Sequence, residues 1–87
     1  MYSSFKVIDL NNDTLTVQYD GGSGILDGII EYNVVTGKYK IIKYTSQHEN
    51  SDVFVNWLVN KPTFIHNAKE CYNTKKINDI RIVICCG

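Results

Sequence analysis

The chain has 87 residues, 44% of them apolar and 21% charged, with a formal net charge of zero at pH 7. That length makes one domain spanning residues 1–87, with a small core and little room for a deep small-molecule pocket. Zero net charge argues against a nucleic-acid partner held by phosphate contacts, and eleven Ile, six Tyr, three Phe and Trp57 argue against disorder.

Residues 4–10 (SFKVIDL) put Phe5 and Val7 on one face of a strand and Ile8 and Leu10 on the other. Asn11-Asn12-Asp13 follows, a cluster that tolerates left-handed turn geometry. Residues 14–19 (TLTVQY) then alternate cleanly, with Leu15, Val17 and Tyr19 against Thr14, Thr16 and Gln18, so 4–19 reads as a hairpin. Asp20-Gly21-Gly22-Ser23-Gly24 is a loop, and residues 25–35 form a longer strand in which Gly28 marks a bulge or a close approach. Thr36-Gly37 turns the chain into a partner strand over 38–45, where the Ile41-Ile42 pair breaks alternation and again suggests a bulge or a strand covered on both faces.

Beyond the polar stretch 46–50, Ser51 reads as an N-cap with Asp52 in the first helical turn. Val53, Phe54, Trp57 and Leu58 make an apolar stripe, and Phe64, Ile65, Ala68 and Tyr72 make another. Asn60-Lys61-Pro62 lies between them, so the segment is either one kinked helix or two short helices. Residues 79–85 (DIRIVIC) supply a last strand, apolar on both faces and therefore expected inside the sheet. The fold class is α+β: an antiparallel meander of four strands, a helical segment on one face, and a fifth strand.

Catalytic and metal motifs do not assemble from the spacing. Gly21-Gly22-Ser23-Gly24 runs into strand-like residues, whereas a phosphate-binding loop needs a helix directly after the glycines. Cys71, Cys85, Cys86, His48 and His66 lack the paired spacing of a structural zinc site, and the expectation is that no metal or cofactor is bound. His66 and Glu70 are four residues apart and orient each other on a helix, but no third group completes a Cys–His hydrolase, so an enzyme is not expected. An odd cysteine count, no basic-then-apolar start and no long apolar run fit a reducing cytoplasm rather than export or a membrane.

What remains is binding. Tyr19, Tyr32, Tyr39 and Tyr44 fall in three consecutive strands, and aromatic side chains anchor protein interfaces. If the helices cover one sheet face, the other is expected to present several of these tyrosines beside lysines. Charge is divided along the chain. Residues 1–37 hold Asp9, Asp13, Asp20, Asp27 and Glu31 against Lys6, a net −4, and residues 38–87 balance it at +4. The expected partner-binding residues are Tyr32, Tyr39, Tyr44, Asp20 and Asp27, and the expected partner is a larger protein or a second copy of the chain. Abundant Ile, Asn, Lys and Tyr beside single Ala68, Arg81 and Pro62 point to an AT-rich genome, bacterial or phage. The resulting expectation is an inhibitor, immunity or phage anti-defence type of protein. The alternative is an oligomer that sequesters a nucleotide-like molecule between subunits, with the Gly21–Gly24 amides lining the pocket.

Overall fold

A computed structural model describes residues 2–46, 51–77 and 79–85. Five strands and two helices follow in the order β1 (Tyr2–Asn11), β2 (Thr14–Tyr19), β3 (Gly28–Asn33), β4 (Tyr39–Lys43), α1 (Ser51–Val59), α2 (Pro62–Thr74) and β5 (Ile82–Cys85). The strands form one antiparallel sheet in the order β4-β3-β2-β1-β5, and the α+β meander read from the sequence is the fold.

The register sorts side chains onto two unlike faces. Val17 pairs with Val7 on one side and Ile30 on the other, and Leu15 with Leu10 and Tyr32, so the inward rows cross the sheet unbroken. In β1, residues Val7 and Asp9 face Val17 and Thr16, which leaves Ile8 as an extra residue. That bulge returns Leu10 to the side of Phe5 and Val7, where simple alternation had placed it opposite them. A second bulge falls in β4, where Ile41 and Lys43 pair with Ile30 and Ile29 and leave Ile42 outside the ladder. The Ile41-Ile42 doublet is therefore a bulge, as its broken alternation suggested.

Gly28 is a close-approach point and not a bulge. A Cβ there would collide with the edge of the Tyr19 ring, its partner across the ladder, and lie 2.6 Å from Thr45 Cγ2.

The inward face meets the helices through aromatic rings. Phe64 of α2 lies 5.0 Å from Phe5 in a tilted contact and 5.0 Å from Tyr32 edge-on, and Phe54 of α1 stacks on Tyr19 at 6.1 Å. Pro62 occupies the first position of α2 behind an extended Lys61, the place where its missing N–H and fixed φ fit a helix start. There are thus two helices with a corner at Asn60-Lys61-Pro62, and the single kinked helix does not form.

Two expectations need correction. Helix α1 is rolled by one residue, about 100°. It buries Phe54, Val55, Leu58 and Val59 and leaves Val53 72% exposed. Ser51 is its first residue, and the capping role expected of its side chain lies outside what is described. The last strand lies at the outer edge against β1, not inside the sheet, and it begins only at Ile82. Both faces of the run are apolar, as in a buried strand, but the outer side has no strand partner among the described residues and Val83 is left 46% exposed.

Candidate interaction surface at the β4–α1 corner

Four of the five expected interface residues are occupied by the fold, two of them completely. Tyr32 is buried in the core, packed on Phe64. Asp20 is fully buried and serves as a junction between the start of β1 and the end of β2. Its carboxylate accepts from Ser4 Oγ and from the Gly22 amide at 2.7 Å, its carbonyl accepts from Ser3 Oγ at 2.8 Å, and its own amide donates to the Ser4 carbonyl at 3.0 Å. Neither side chain is available to a partner. The reason is register: Tyr32 pairs with Leu15 and Tyr39 on the helix side, and Asp20 extends the β1–β2 pairing by one position.

Asp27 is half-buried and clasps the end of β4. One carboxylate oxygen accepts from Ser46 Oγ at 2.7 Å and from the Ser46 amide at 3.3 Å, and the other is buried without a partner among the described residues. The Ser46 hydroxyl holds the Asp27 carboxyl below its usual range. Tyr39 is half-buried, and its hydroxyl reaches the Asp52 carbonyl at 3.4 Å. Only Tyr44 is well exposed, at 54%, and its hydroxyl donates to the Asp52 carboxylate at 3.2 Å. That neighbouring negative charge raises the Tyr44 phenol pKa, while burial does the same for Tyr19 and Tyr32.

The uncovered sheet face is not the tyrosine face that the sequence suggested. It carries the row Asp9, Thr16, Glu31 and Lys40 across four strands, and beside it Asn11, Thr14 and Asn33. Two shallow hollows of about 380 Å³ each lie there, both bordered by Thr14, Glu31 and Asn33. One is lined by carboxylate, amide and hydroxyl groups alone, and the other adds Lys38, Lys40 and Tyr39 at its β4 side.

Apolar surface is concentrated elsewhere. Ile42 stands out at the β4 bulge, Tyr44 is exposed two residues on, and the Tyr44–Asp52 hydrogen bond sets Tyr44 beside the first turn of α1, which carries exposed Val53. One turn on, Trp57 is half-buried with its ring 5.4 Å from Phe54 and the Lys61 ammonium 4.7 Å above it. Sequence reasoning missed Val53, Trp57 and Ile42 as surface residues. A signal existed: α1 holds six apolar residues among nine, more than a single helix face can bury.

The other sequence candidates do not converge. The His66 side chain is exposed and pairs with Glu70 at 3.4 Å, whereas Cys71 is buried in the core, so these two do not pair. His48 and Cys86 lie outside the described residues. Among those described, no three His, Cys, Asp or Glu side chains are grouped to hold a metal, and no helix is long and apolar enough to cross a membrane. In the glycine loop the Gly22 amide is bonded to Asp20, Ile25 to Ser23 Oγ, and Asp27 to the Ile25 carbonyl, so these amides are spent inside the loop. Comparison with known proteins finds no matching family model, no matching curated protein and no matching solved structure.

Proposed function

We propose that the protein works by binding a larger protein through the corner formed by Ile42, Tyr44, Val53 and Trp57, occluding a surface of that target. The observation that carries this reading is the cluster itself. Exposed Tyr44 is bonded to the first turn of α1, where exposed Val53 and half-buried Trp57 stand one turn apart, and Ile42 is exposed two residues before Tyr44, while the centre of the open sheet face carries the polar row Asp9, Thr16, Glu31 and Lys40. The hydroxyls of Tyr39 and Tyr44 both end on Asp52, which ties the strand side of the corner to the helix side. A surface fixed before association loses less conformational freedom on binding. Lys43 stands between Ile42 and Tyr44 in the chain and the Lys61 ammonium lies over the Trp57 ring, cationic groups that favour acidic groups on the partner. Inhibitor and immunity-type proteins, including phage anti-defence proteins, are the concrete class this reading names.

The test is a paired capture from lysate with three baits: the natural chain, Val53→Asp, and Thr16→Lys on the polar sheet face. One protein retained in stoichiometric amount by the first and third baits and lost from the second is the expected result. Equal retention by all three places binding elsewhere and contradicts the proposal. Circular dichroism of each bait separates lost binding from lost fold.

A further inference from the structure

The two outer edges of the sheet are protected very unequally. An edge strand presents unpaired N–H and C=O groups that only another extended backbone can satisfy in series, and proteins commonly blunt such edges with lysine, proline or a bulge. β4 follows that rule, with Lys40 and Lys43 inside the strand, Lys38 just before it and a bulge at Ile42. β5 has none of these three devices, and its protection is its short length of four residues. Its four residues are Ile, Val, Ile and Cys, its inner side is paired with β1 from Tyr2 to Phe5, and among the described residues nothing pairs with its outer side. Val83 is 46% exposed, and Ile77 and Ile80 are exposed in the preceding segment, beside Asp79 and Arg81.

We propose that β5 pairs antiparallel with β5 of a second copy, joining two five-stranded sheets into one. Three features select a second copy as the occupant. A two-fold antiparallel ladder of this segment sets only Ile, Val and Cys against one another, so no like charges meet, whereas the same pairing at β4 brings lysines together. The formal net charge of zero adds no long-range repulsion between copies. An isologous pairing also closes on itself, while β5 against β4 would propagate into a filament and would need the lysine-bearing, bulged edge. The two-fold axis runs perpendicular to the sheet, so both helical layers lie on one side and the two open faces become continuous. Val83 then lies at the seam. The β4–α1 corners sit at the two distant edges, so pairing and target binding are independent properties.

Sedimentation equilibrium of the full chain under reducing conditions tests the pairing, together with amide hydrogen exchange at low and high protein concentration. The expected result is a species of twice the 9.9 kDa chain mass, with protection of the residue 82–85 amides rising as it forms. Val83→Lys is expected to weaken association at least about tenfold, since it sets two ammonium groups beside one seam. A monomer at every concentration, a mass growing beyond two chains, or a dimer whose residue 82–85 exchange matches that of the monomer would each overturn the proposal. The exchange comparison uses the natural chain alone, so it decides the matter even if Val83→Lys fails to fold.

Discussion

Asp20 shows how far a residue's role depends on what its register neighbours do. From the sequence it is an acidic residue opening a glycine-rich loop, and nothing in its local pattern distinguishes it from the exposed carboxylates along the chain. In the fold it is fully buried, held by Ser4 Oγ and the Gly22 amide, residues sixteen and two positions away. A carboxylate withdrawn from water is tolerated only when donors meet it. Asp20→Ala should therefore lower unfolding free energy by about 2–3 kcal/mol, out of a total of about 5–15 for a domain of this kind. Urea denaturation followed by circular dichroism measures this. A change below about half a kcal/mol would show that Ser4 and Gly22 find water as an equal partner. Charge reversal at Asp20 consequently reports on folding and says nothing of a partner. Gly28 and Asn12 were legible by contrast, because backbone geometry alone marks them: Asn12 adopts φ 56°, and Gly28 accommodates the Tyr19 ring.

At the scale of elements, the alternation of β2 was legible because every inward residue is apolar and every outward one polar. Strand β1 misled because one bulge residue shifts the phase of everything after it, and a bulge leaves little trace in a seven-residue window. Helix α1 misled for another reason. Val53, Phe54, Val55, Trp57, Leu58 and Val59 satisfy two overlapping stripes, and packing against Tyr19 selected the one centred on Phe54. Helix α2 ends in a way that can be tested. Its terminal residue is followed by Lys75 in the left-handed region, φ 58° and ψ 29°, where glycine is usual and a Cβ is strained. Lys75 keeps its ammonium 4.1 Å above the Tyr72 ring, and the Tyr72 hydroxyl in turn donates to Asp13 at 3.0 Å, pinning the helix end to the first hairpin turn. Lys75→Gly should release about 1–2 kcal/mol of backbone strain and forfeit about 0.5–1 kcal/mol of cation–π attraction. The expected outcome is a rise in stability of about 0.5–1 kcal/mol, read from the thermal or urea midpoint. A fall would mean that the Lys75–Tyr72 contact outweighs the strain.

For the whole molecule, the meander and the two-layer plan were legible because short turns join successive strands and two amphipathic segments need one sheet face to cover. The position of β5 was not. An apolar run on both faces of a strand fits a buried strand and an unprotected edge equally well, and only the pairing with β1 on one side decides between them. The candidate site was hidden for the same reason: three of the four tyrosines that suggested an interface lie on the helix side, with Tyr19 and Tyr32 spent on the core, and the exposed apolar corner depends on how α1 rolls. What emerges is a small domain with one polar face, one covered face and two apolar margins at opposite edges. The central claim is that the margin at β4 and α1 is the surface that meets another protein. Amide hydrogen exchange of the chain free and bound to its captured partner tests this most directly. Slowed exchange concentrated in residues 42–44 and 52–57 is the predicted footprint. Slowed exchange along Asp9–Thr16 and Glu31–Asn33, with the α1 amides unchanged, would move the interface to the polar sheet face and contradict the account.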